Sequence, residues 1–467
     1  MRKAGILGLV ACVVDMSIVN LGFYLAFRMR FGSVVPHANL ASFQLLVPYV
    51  TALAAILFWC FGLYSFSRTS TIQTLYNVVL SVLLLDTGTM ALAFALRGLA
   101  LPRSVLLYAA ILHVIAIGGW RLLLEVPARR IESNKTAVII GDKGDTGVLA
   151  GKLGNLGLHG YRIAGAFDAA SEVAAACEGI NRADIVCLSA SLPLDAKELL
   201  IMESLDRNKT VLLIPQLYDI LVHDATVDTV DDLPVFRIGH LGLSPVQRLV
   251  KRVFDVCVSS VCLVVALPVI VLAALAVKLS SPGPAFYCQV RVGQNGKTFS
   301  LIKLRTMIPD AEKDTGPVLA TTDDPRVTRV GRILRATRLD ELPQFINVLR
   351  GDMSFVGPRP ERPEFVREFC NTIPEYKYRL KVKPGITGLA QILGRYDTDA
   401  ADKLRYDLYY IRNYSLLLDL QILMQTLRVM LTPESARGVS SANAERKTPR
   451  DSSSEQRSAE TRTLSSS

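Results

Sequence analysis

Apolar residues gather into long blocks in the first 130 residues, at about 4–27, 45–64, 75–96 and 104–124. Each is about the length a helix needs to cross a hydrocarbon core of ~30 Å. The first opens like an export signal, with Arg2-Lys3, a short apolar run and Leu9-Val10-Ala11-Cys12. It resumes beyond Asp15, however, and three more blocks follow, so a retained first span is expected. Between 134 and 240 the period changes. Short β-rich runs (Ala137–Ile140, Tyr161–Phe167, Asp184–Leu188, Thr210–Ile214) alternate with helical ones, which predicts a small doubly wound α/β domain. A fifth apolar block, Val253 to Val277, is interrupted by Pro268, where a kink is expected. Two further β-rich runs flank Asn295-Gly296, the signature of a hairpin turn. From Tyr406 to about Leu431, tyrosines at 406, 409, 410 and 414 join an apolar run. That pattern fits an interfacial helix with aromatic anchors or, nearly as well, a packed core helix. From Ala436 onward Ser, Arg, Glu and Thr dominate, and a disordered tail is predicted.

Charge adds an orientation. Arg2 and Lys3 before the first block, and Arg121, Arg129, Arg130 and Lys135 after the fourth, place both ends of a four-span bundle in the cytoplasm. Arg28, Arg30, Arg97 and Arg103 fall on the other side and weaken the bias, but an even number of spans still keeps both ends together. Asp86 and His113 sit near mid-depth of the third and fourth spans. Such groups cost about 2.5–3.5 kcal/mol each on insertion, so a mutual polar clamp is expected. A mean hydropathy of +0.33 agrees with a membrane protein. The net charge of +10 fits an anionic membrane face or phosphorylated substrates. Nucleic acid is not expected, because the basic residues are scattered among apolar runs and no recognition module is legible. The eight cysteines form no C-x-x-C pair and the five histidines are dispersed, which argues against disulfides and a zinc site.

Two stretches carry chemistry. In the middle domain, Gly141-Asp-Lys-Gly144-Asp-Thr-Gly147 follows a strand, and Asp168 lies about twenty residues on, where a ribose-binding acid would sit. The G-x-x-G-x-x-G spacing resembles that of the extended short-chain dehydrogenases. Their Tyr-x-x-x-Lys pair is absent from the chain, so hydride chemistry is excluded; a structural or regulatory module is expected, with nucleotide binding as the alternative. The second stretch runs from Arg332 through Arg335, Arg338, Asp340, Glu341 and Pro343 to Gly357-Pro358-Arg359-Pro360. Arginines at spacing three share one side of a helix, and their forked donors suit phosphate oxygens. A carboxylate among them is kept ionised, fit to ligate a metal or act as a nucleophile. Lys303 and Arg305, two apart on a strand, point to one face and suit an anion.

Together Lys251-Arg252-Val-Phe-Asp255, the Pro268-broken block, Lys303-Leu-Arg305-Thr-Met307, Leu339-Asp340-Glu341-Leu-Pro343-Gln344, Gly351 to Pro360, Lys383 to Gln391 and Asp407-Leu-Tyr-Tyr410 resemble the polyprenyl-phosphate hexose-1-phosphate transferases, the bacterial sugar transferase family. The likeness covers about 248–431. With its four spans and α/β module, the chain is similar to the larger members, which include undecaprenyl-phosphate glucose and galactose phosphotransferases. One departure is Leu267, where serine often precedes the helix-breaking proline.

The resemblance implies a transmembrane bundle over 1–130, a Rossmann-like α/β module over 134–240, and a monotopic α/β phosphoglycosyl transferase domain over 245–432 with a re-entrant helix at 248–279. It also implies a reaction. Asp340 would attack the β-phosphorus of a UDP-sugar, and polyprenyl phosphate would then take the phosphosugar. Lys303, Arg305, Arg335, Arg338, Arg359 and Gln391 would bind substrate, Glu341 would assist, and Mg²⁺ would lie on Asp340 and Glu341. The implied place is the bacterial inner membrane, with the transferase domain on the cytoplasmic side; a homodimer is an expectation from the large bundle alone. The rival from another class is a membrane-tethered nucleotide-sensing scaffold with an inactive transferase part.

Overall fold

A computed structural model of the chain describes residues 2–32, 34–64, 71–96, 101–133, 135–154, 161–168, 173–222, 225–309, 311, 324–394 and 398–431. The tail predicted at 436–467 lies outside them. The chain divides into two compact units, Met1–Ile238 and Gly239–Ser467.

In the first unit the four apolar blocks form helices α1 (Arg2–Phe31), α2 (His37–Cys60), α3 (Thr71–Ala95) and α4 (Arg103–Ser133). All four are long and apolar enough to cross a membrane. Val19, Phe23, Ala26 and Phe27 of α1 are wholly buried at helical spacing, and Phe23 and Phe43 meet at 5.4 Å between ring centroids. The expected Asp86–His113 clamp is not formed. His113 Nε2 lies 2.9 Å from the Val19 carbonyl of α1, and its ring meets Phe23 edge-on. It fits there because residue 22 is glycine: a Cβ at that position would meet the ring at 2.5 Å. Asp86 instead leaves a buried carboxylate oxygen without a hydrogen-bond partner among the described residues. The ion pair that ties α1 to α4 is Asp15–Arg121, sealed from solvent on both sides.

The α/β module follows as β1 (Thr136–Gly141), α5 (Lys143–Gly154), β2 (Arg162–Asp168), α6 (Val173–Arg182), β3 (Ile185–Leu188), α7 (Leu194–Asp206), β4 (Thr210–Leu213) and α8 (Leu217–Val222). Its four strands are parallel, in the order β2-β1-β3-β4. β1 and β3 are buried along almost their whole length, as continuous apolar runs in a covered parallel sheet must be. Asp168 ends β2 opposite Gly141. Beside the glycine turn, Ser189 Oγ donates to the Asp145 carboxylate at 2.6 Å, so an acid stands at the helix start where a phosphate would be received. A hairpin of β5 (Thr226–Val230) and β6 (Leu233–Arg237) closes the unit.

The second unit begins with α9 (Pro245–Ser280), opened by a Ser244/Gln247 capping box with Pro245 in the first turn. Pro268 lies inside it. Then come the β7 (Phe286–Val292) and β8 (Thr298–Leu304) hairpin, α10 (Arg329–Ala336), α11 (Gln344–Arg350), β9 (Ser354–Val356), α12 (Pro363–Thr372), β10 (Gly385–Thr387), α13 (Leu389–Leu393), α14 (Ala400–Arg412) and α15 (Leu416–Leu431). The hairpin turns at Asn295 and Gly296, both with positive φ.

The two halves of α9 pack on this one domain. Toward its start, Arg252 donates to the Val348 and Leu349 carbonyls at the end of α11, at 2.6 and 2.8 Å. Asp255 accepts from Ser354 Oγ and Phe355 N, both at 3.0 Å. Lys251 meets Asp419 of α15 at 2.6 Å. Toward its end, Ala273 and Val277 pack with Leu304 and Leu334. Between them Val261, Val264, Val265 and Leu267 are exposed. The tyrosine-rich stretch, expected as one helix, is two. Tyr410 is buried and bonded to Asp419 at 2.7 Å, so there the aromatic side chains at 410 and 414 serve the core rather than a membrane face.

Candidate active site

The site forms where β8, the turn after α10 and the loop after β9 converge. α10 ends at Ala336, so the expected helical face of three arginines stops short of Arg338. Arg338 has φ +58°, in the left-handed region. Among the described residues only four non-glycine positions do so, and the other three are Asn or Asp, whose short side chains tolerate it. A long side chain held there stores strain of about 1–3 kcal/mol, a cost met at functional turns. The next residues, Leu339–Glu341, form a single 3-10 turn that sets Asp340 and Glu341 side by side just before α11.

Glu341 Oε1 accepts from Lys303 Nζ at 3.0 Å and from an Arg359 amine at 3.1 Å. Burial works against its charge, yet Lys303, Arg359 and Arg338 together hold the carboxyl well below the usual carboxylate range. Asp340 is 8 % exposed, and no hydrogen bond or ion pair engages its carboxyl among the described residues. Burial and the neighbouring Glu341 charge raise it, against Lys303, Arg335 and Arg338. A carboxylate kept ionised among arginines was expected, and Glu341 is that group; Asp340 beside it is an unbonded carboxyl of raised proton affinity.

The other expected site residues separate into two groups. Arg335 stands near Asp340, with its Nε bonded to Thr306 Oγ1 at 2.8 Å. Arg305 is directed elsewhere: it donates to the Pro282 carbonyl at 2.5 Å and to the Ser281 carbonyl and hydroxyl at 2.9 Å, clamping the turn after α9. It lies just past the end of β8, where strand alternation no longer fixes its direction. Gln391 on α13 bonds the Ile386 carbonyl at 3.2 Å, and no hydrogen bond or ion pair joins it to Asp340 or Glu341 among the described residues.

Sequence reasoning passed over Asn347, which is fully buried. Its amide donates to the Ser300 carbonyl at 2.8 Å and accepts from Ile302 N at 3.0 Å, standing in for a neighbouring strand. It thus fixes the strand that carries Lys303 against the helix that follows Glu341. The only signal was an amide amid Phe345-Ile-Asn-Val-Leu349. Among the described residues no group of three or more His, Cys, Asp or Glu could hold a metal. Two adjacent carboxylates, one of them open, still suit Mg²⁺, which takes one or two carboxylates and fills its remaining positions with substrate phosphates and water.

Residues 246–433 match the bacterial sugar transferase family. The chain is 43% identical over 211 residues to a UDP-N-acetylgalactosamine-undecaprenyl-phosphate N-acetylgalactosaminephosphotransferase of Aeromonas hydrophila, covering 44% of this chain and 50% of that protein. It is 43% identical over 233 residues to the UDP-glucose:undecaprenyl-phosphate glucose-1-phosphate transferase of Escherichia coli, covering 49% and 50%. The UDP-glucose:undecaprenyl-phosphate glucose-1-phosphate transferase of Caulobacter vibrioides is 46% identical over 193 residues, covering 40% of this chain and 71% of that protein. The aligned part thus spans about half the length of the first two relatives and more than two thirds of the third. The strand lysine, the strained turn with its two acids and the arginine loop all lie within the matched stretch, and the chain belongs to the bacterial sugar transferase family.

Proposed function

We propose that this chain transfers a hexose 1-phosphate from a UDP-sugar to undecaprenyl phosphate or a similar polyprenyl phosphate, and so starts assembly of an exopolysaccharide, capsule or O-antigen. The observation that carries this reading is the pairing of a buried Asp340, whose carboxyl is unbonded among the described residues, with a Glu341 whose Oε1 accepts from both Lys303 and Arg359. A carboxylate oxygen of Asp340 attacks the β-phosphorus, the bridging P–O bond breaks, and UMP leaves with that oxygen. A phosphate oxygen of the lipid then attacks the same phosphorus, giving the polyprenyl-diphosphate-sugar and returning the Asp340 carboxylate. Lys303, Arg335, Arg338 and Arg359 offset the donor's charge, which would otherwise repel an anionic nucleophile. Mg²⁺ held by Asp340 and Glu341 would supply further neutralisation of the diphosphate.

The lipid acceptor requires the site to face a membrane, and α9 offers the means. A straight helix separates residues 252 and 277 by about 38 Å. Yet Arg252 is bonded to Val348, which packs on Leu301, while Val277 packs on Leu304. Leu301 and Leu304 are three residues apart on β8, about 10 Å. Reaching both favours a bend, and Pro268 lies in the exposed apolar segment between the anchors. We read α9 as re-entrant, dipping into the inner leaflet and returning, with the transferase domain on the cytoplasmic side of the inner membrane. We also read the parallel sheet of the first unit as Rossmann-like. Cysteine accessibility in intact cells checks the topology: labelling after Lys278 from outside would refute it.

The function is tested with the full chain in nanodiscs, undecaprenyl phosphate, Mg²⁺ and a panel of UDP-glucose, UDP-galactose and their N-acetylated forms. UMP release with at least one donor is expected. None with any donor would leave the inactive-scaffold reading in its place.

A further inference from the structure

We propose that Arg379 is a positioning residue for the transfer reaction, holding the Pro358-Arg359-Pro360 loop so that the Arg359 guanidinium stays on Glu341. The proposal deepens the transferase reading above and rests on it for its kinetic consequence. The loop between β9 and α12 has no regular secondary structure. Pro358 and Pro360 have no N–H to donate, which leaves the carbonyls as the main means of fixing it. Four consecutive carbonyls are used. Pro358 O accepts from Gly385 N at 2.9 Å, Arg359 O from Arg379 at 2.9 Å, Pro360 O from Arg291 at 3.1 Å, and Glu361 O from Val292 N at 3.0 Å. Two of these donors are backbone groups on strands β10 and β7. Of the two side chains, Arg379 is the one that grips Arg359 itself.

Every arm of the Arg379 fork is engaged. Its Nε donates to Asp407 of α14 at 2.9 Å, and one amine donates to the Tyr376 hydroxyl at 2.6 Å. The second amine reaches the Arg359 carbonyl, and the guanidinium lies 4.8 Å from the Tyr376 ring centroid. Arg379 and Asp407 are both sealed, at 6% and 3% side-chain exposure. Burial opposes the Arg379 charge, but Asp407, Tyr376 and Glu361 raise its pKa above the ordinary arginine value, so it remains a cation. Arg359, by contrast, is held at its carbonyl and is 39% exposed along its side chain. It is fixed at the root by its carbonyl and bonded to Glu341 at the tip, while its side chain still meets solvent, as a group that meets a substrate must. A lysine at 379 would keep the charge beside Asp407 but not the rigid three-way fork.

The test is a double-mutant cycle on UMP release, with the full chain in nanodiscs: wild type, Arg359→Lys, Arg379→Lys and both. Each single change is expected to lower kcat/KM by about 10–100-fold, since misplacement of ~1 Å near the reacting atoms is felt on that scale. If Arg379 acts through Arg359, the double variant is no worse than the weaker single to within about 3-fold. A plain structural ion pair gives losses that multiply, and that result overturns the proposal. Tyr376→Phe, which frees one arm of the fork without removing a charge, covers the case in which Arg379→Lys does not fold. Its smaller loss must vanish in the Arg359→Lys background, and persistence counts against the proposal. A cryo-EM structure of Arg379→Lys, or of Tyr376→Phe in that case, is the readout independent of turnover. Arg359 displaced from Glu341 supports the proposal, and Arg359 still within hydrogen-bond distance overturns it. Absence of UMP release from wild type with every donor defeats the transferase reading, and the structural arm then decides the positioning alone.

Discussion

Asp15, buried in the helical bundle, and Glu341, half-buried in the transferase domain, are both carboxylates facing arginine, yet their settings differ. Asp15 meets Arg121 one to one, and the pair is sealed at 0% and 3% side-chain exposure. Glu341 meets Lys303 and Arg359 together, with Arg338 adding to the field, and the cations are reachable at 18% and 39% exposure. A second carboxyl beside it, Asp340, is buried and has no hydrogen bond or ion pair among the described residues. Where charges balance and solvent is excluded, a pair holds elements together. Where cations outnumber the bonded anion and remain accessible, the cluster is suited to a further anion, as the proposed function requires. The same contrast runs within the transferase domain: Arg379–Asp407 is a sealed pair that supports an open cluster.

The largest effect expected from breaking this contrast is at Asp340. Asp340→Asn should lower UMP release by at least roughly 10³-fold and abolish enzyme labelling from a β-phosphorus-labelled donor. Thermal unfolding should be unchanged or slightly higher, because a raised carboxyl beside Glu341 is removed. A folded Asp340→Asn variant with near wild-type release would refute the nucleophile assignment. The sealed pair should behave in the opposite way. Asp15→Asn leaves Arg121 buried without a counter-charge and should cost about 3–5 kcal/mol of bundle stability, whereas Asp15→Leu with Arg121→Met recovers most of it. Release per folded molecule should not change in either. Loss of release from a folded, stable Asp15→Leu/Arg121→Met variant would show that the pair is more than structural.

Much of this was legible in the chain. The four blocks became α1–α4 because length and continuous apolarity suffice to specify such helices, and Asn295-Gly296 turned the hairpin through its positive φ angles. The acids and the loop arginine were found because they are adjacent to punctuating prolines and glycines. What stayed hidden was which charge meets which. Lys251 finds Asp419 across 168 residues, and Arg379 finds Asp407 across 28. His113 passed over Asp86 on the neighbouring helix for a carbonyl of α1, because Gly22 made room there. Periodicity tells which face a residue occupies, whereas partners depend on how faces meet. The three-arginine face failed for a local reason: the left-handed backbone at Arg338 ends the helical relation that spacing alone suggested.

Arg305 sharpens the contrast, since sequence grouped it with Lys303 and the structure groups it with the sealed pairs. It is 7% exposed and its donors serve Ser281 and Pro282. Arg305→Lys should therefore cost about 1–2 kcal/mol of stability through lost hydrogen bonds while leaving the donor KM within about 2-fold. Lys303→Met should do the reverse, raising donor KM or lowering kcat with little change in unfolding. If Arg305→Lys instead shifts donor KM while stability holds, Arg305 belongs to the open cluster after all.

The smallest effect tests a pair that is local and sealed on its carboxylate side only, at 3% exposure for Asp324 and 18% for Arg326. Asp324 is buried, and Arg326 donates to it from its backbone N at 3.0 Å, its Nε at 2.9 Å and an amine at 2.6 Å. The Arg326 side-chain bonds, against a smaller opposing effect of burial, hold the carboxyl below its ordinary value of 3.8. A folded-state pKa lower than the unfolded one contributes stability above the unfolded value, and that contribution is lost as pH falls through the folded one. Asp324→Asn should thus cost about 1 kcal/mol at neutral pH. The gap in unfolding temperature from wild type should hold steady down to about pH 5, then close as the pH drops below the ordinary aspartate range. A gap that widens toward acid, or is unchanged at pH 3, would mean that the bonds at Asp324 act through shape rather than charge, and the sealed-pair description would not extend to this turn.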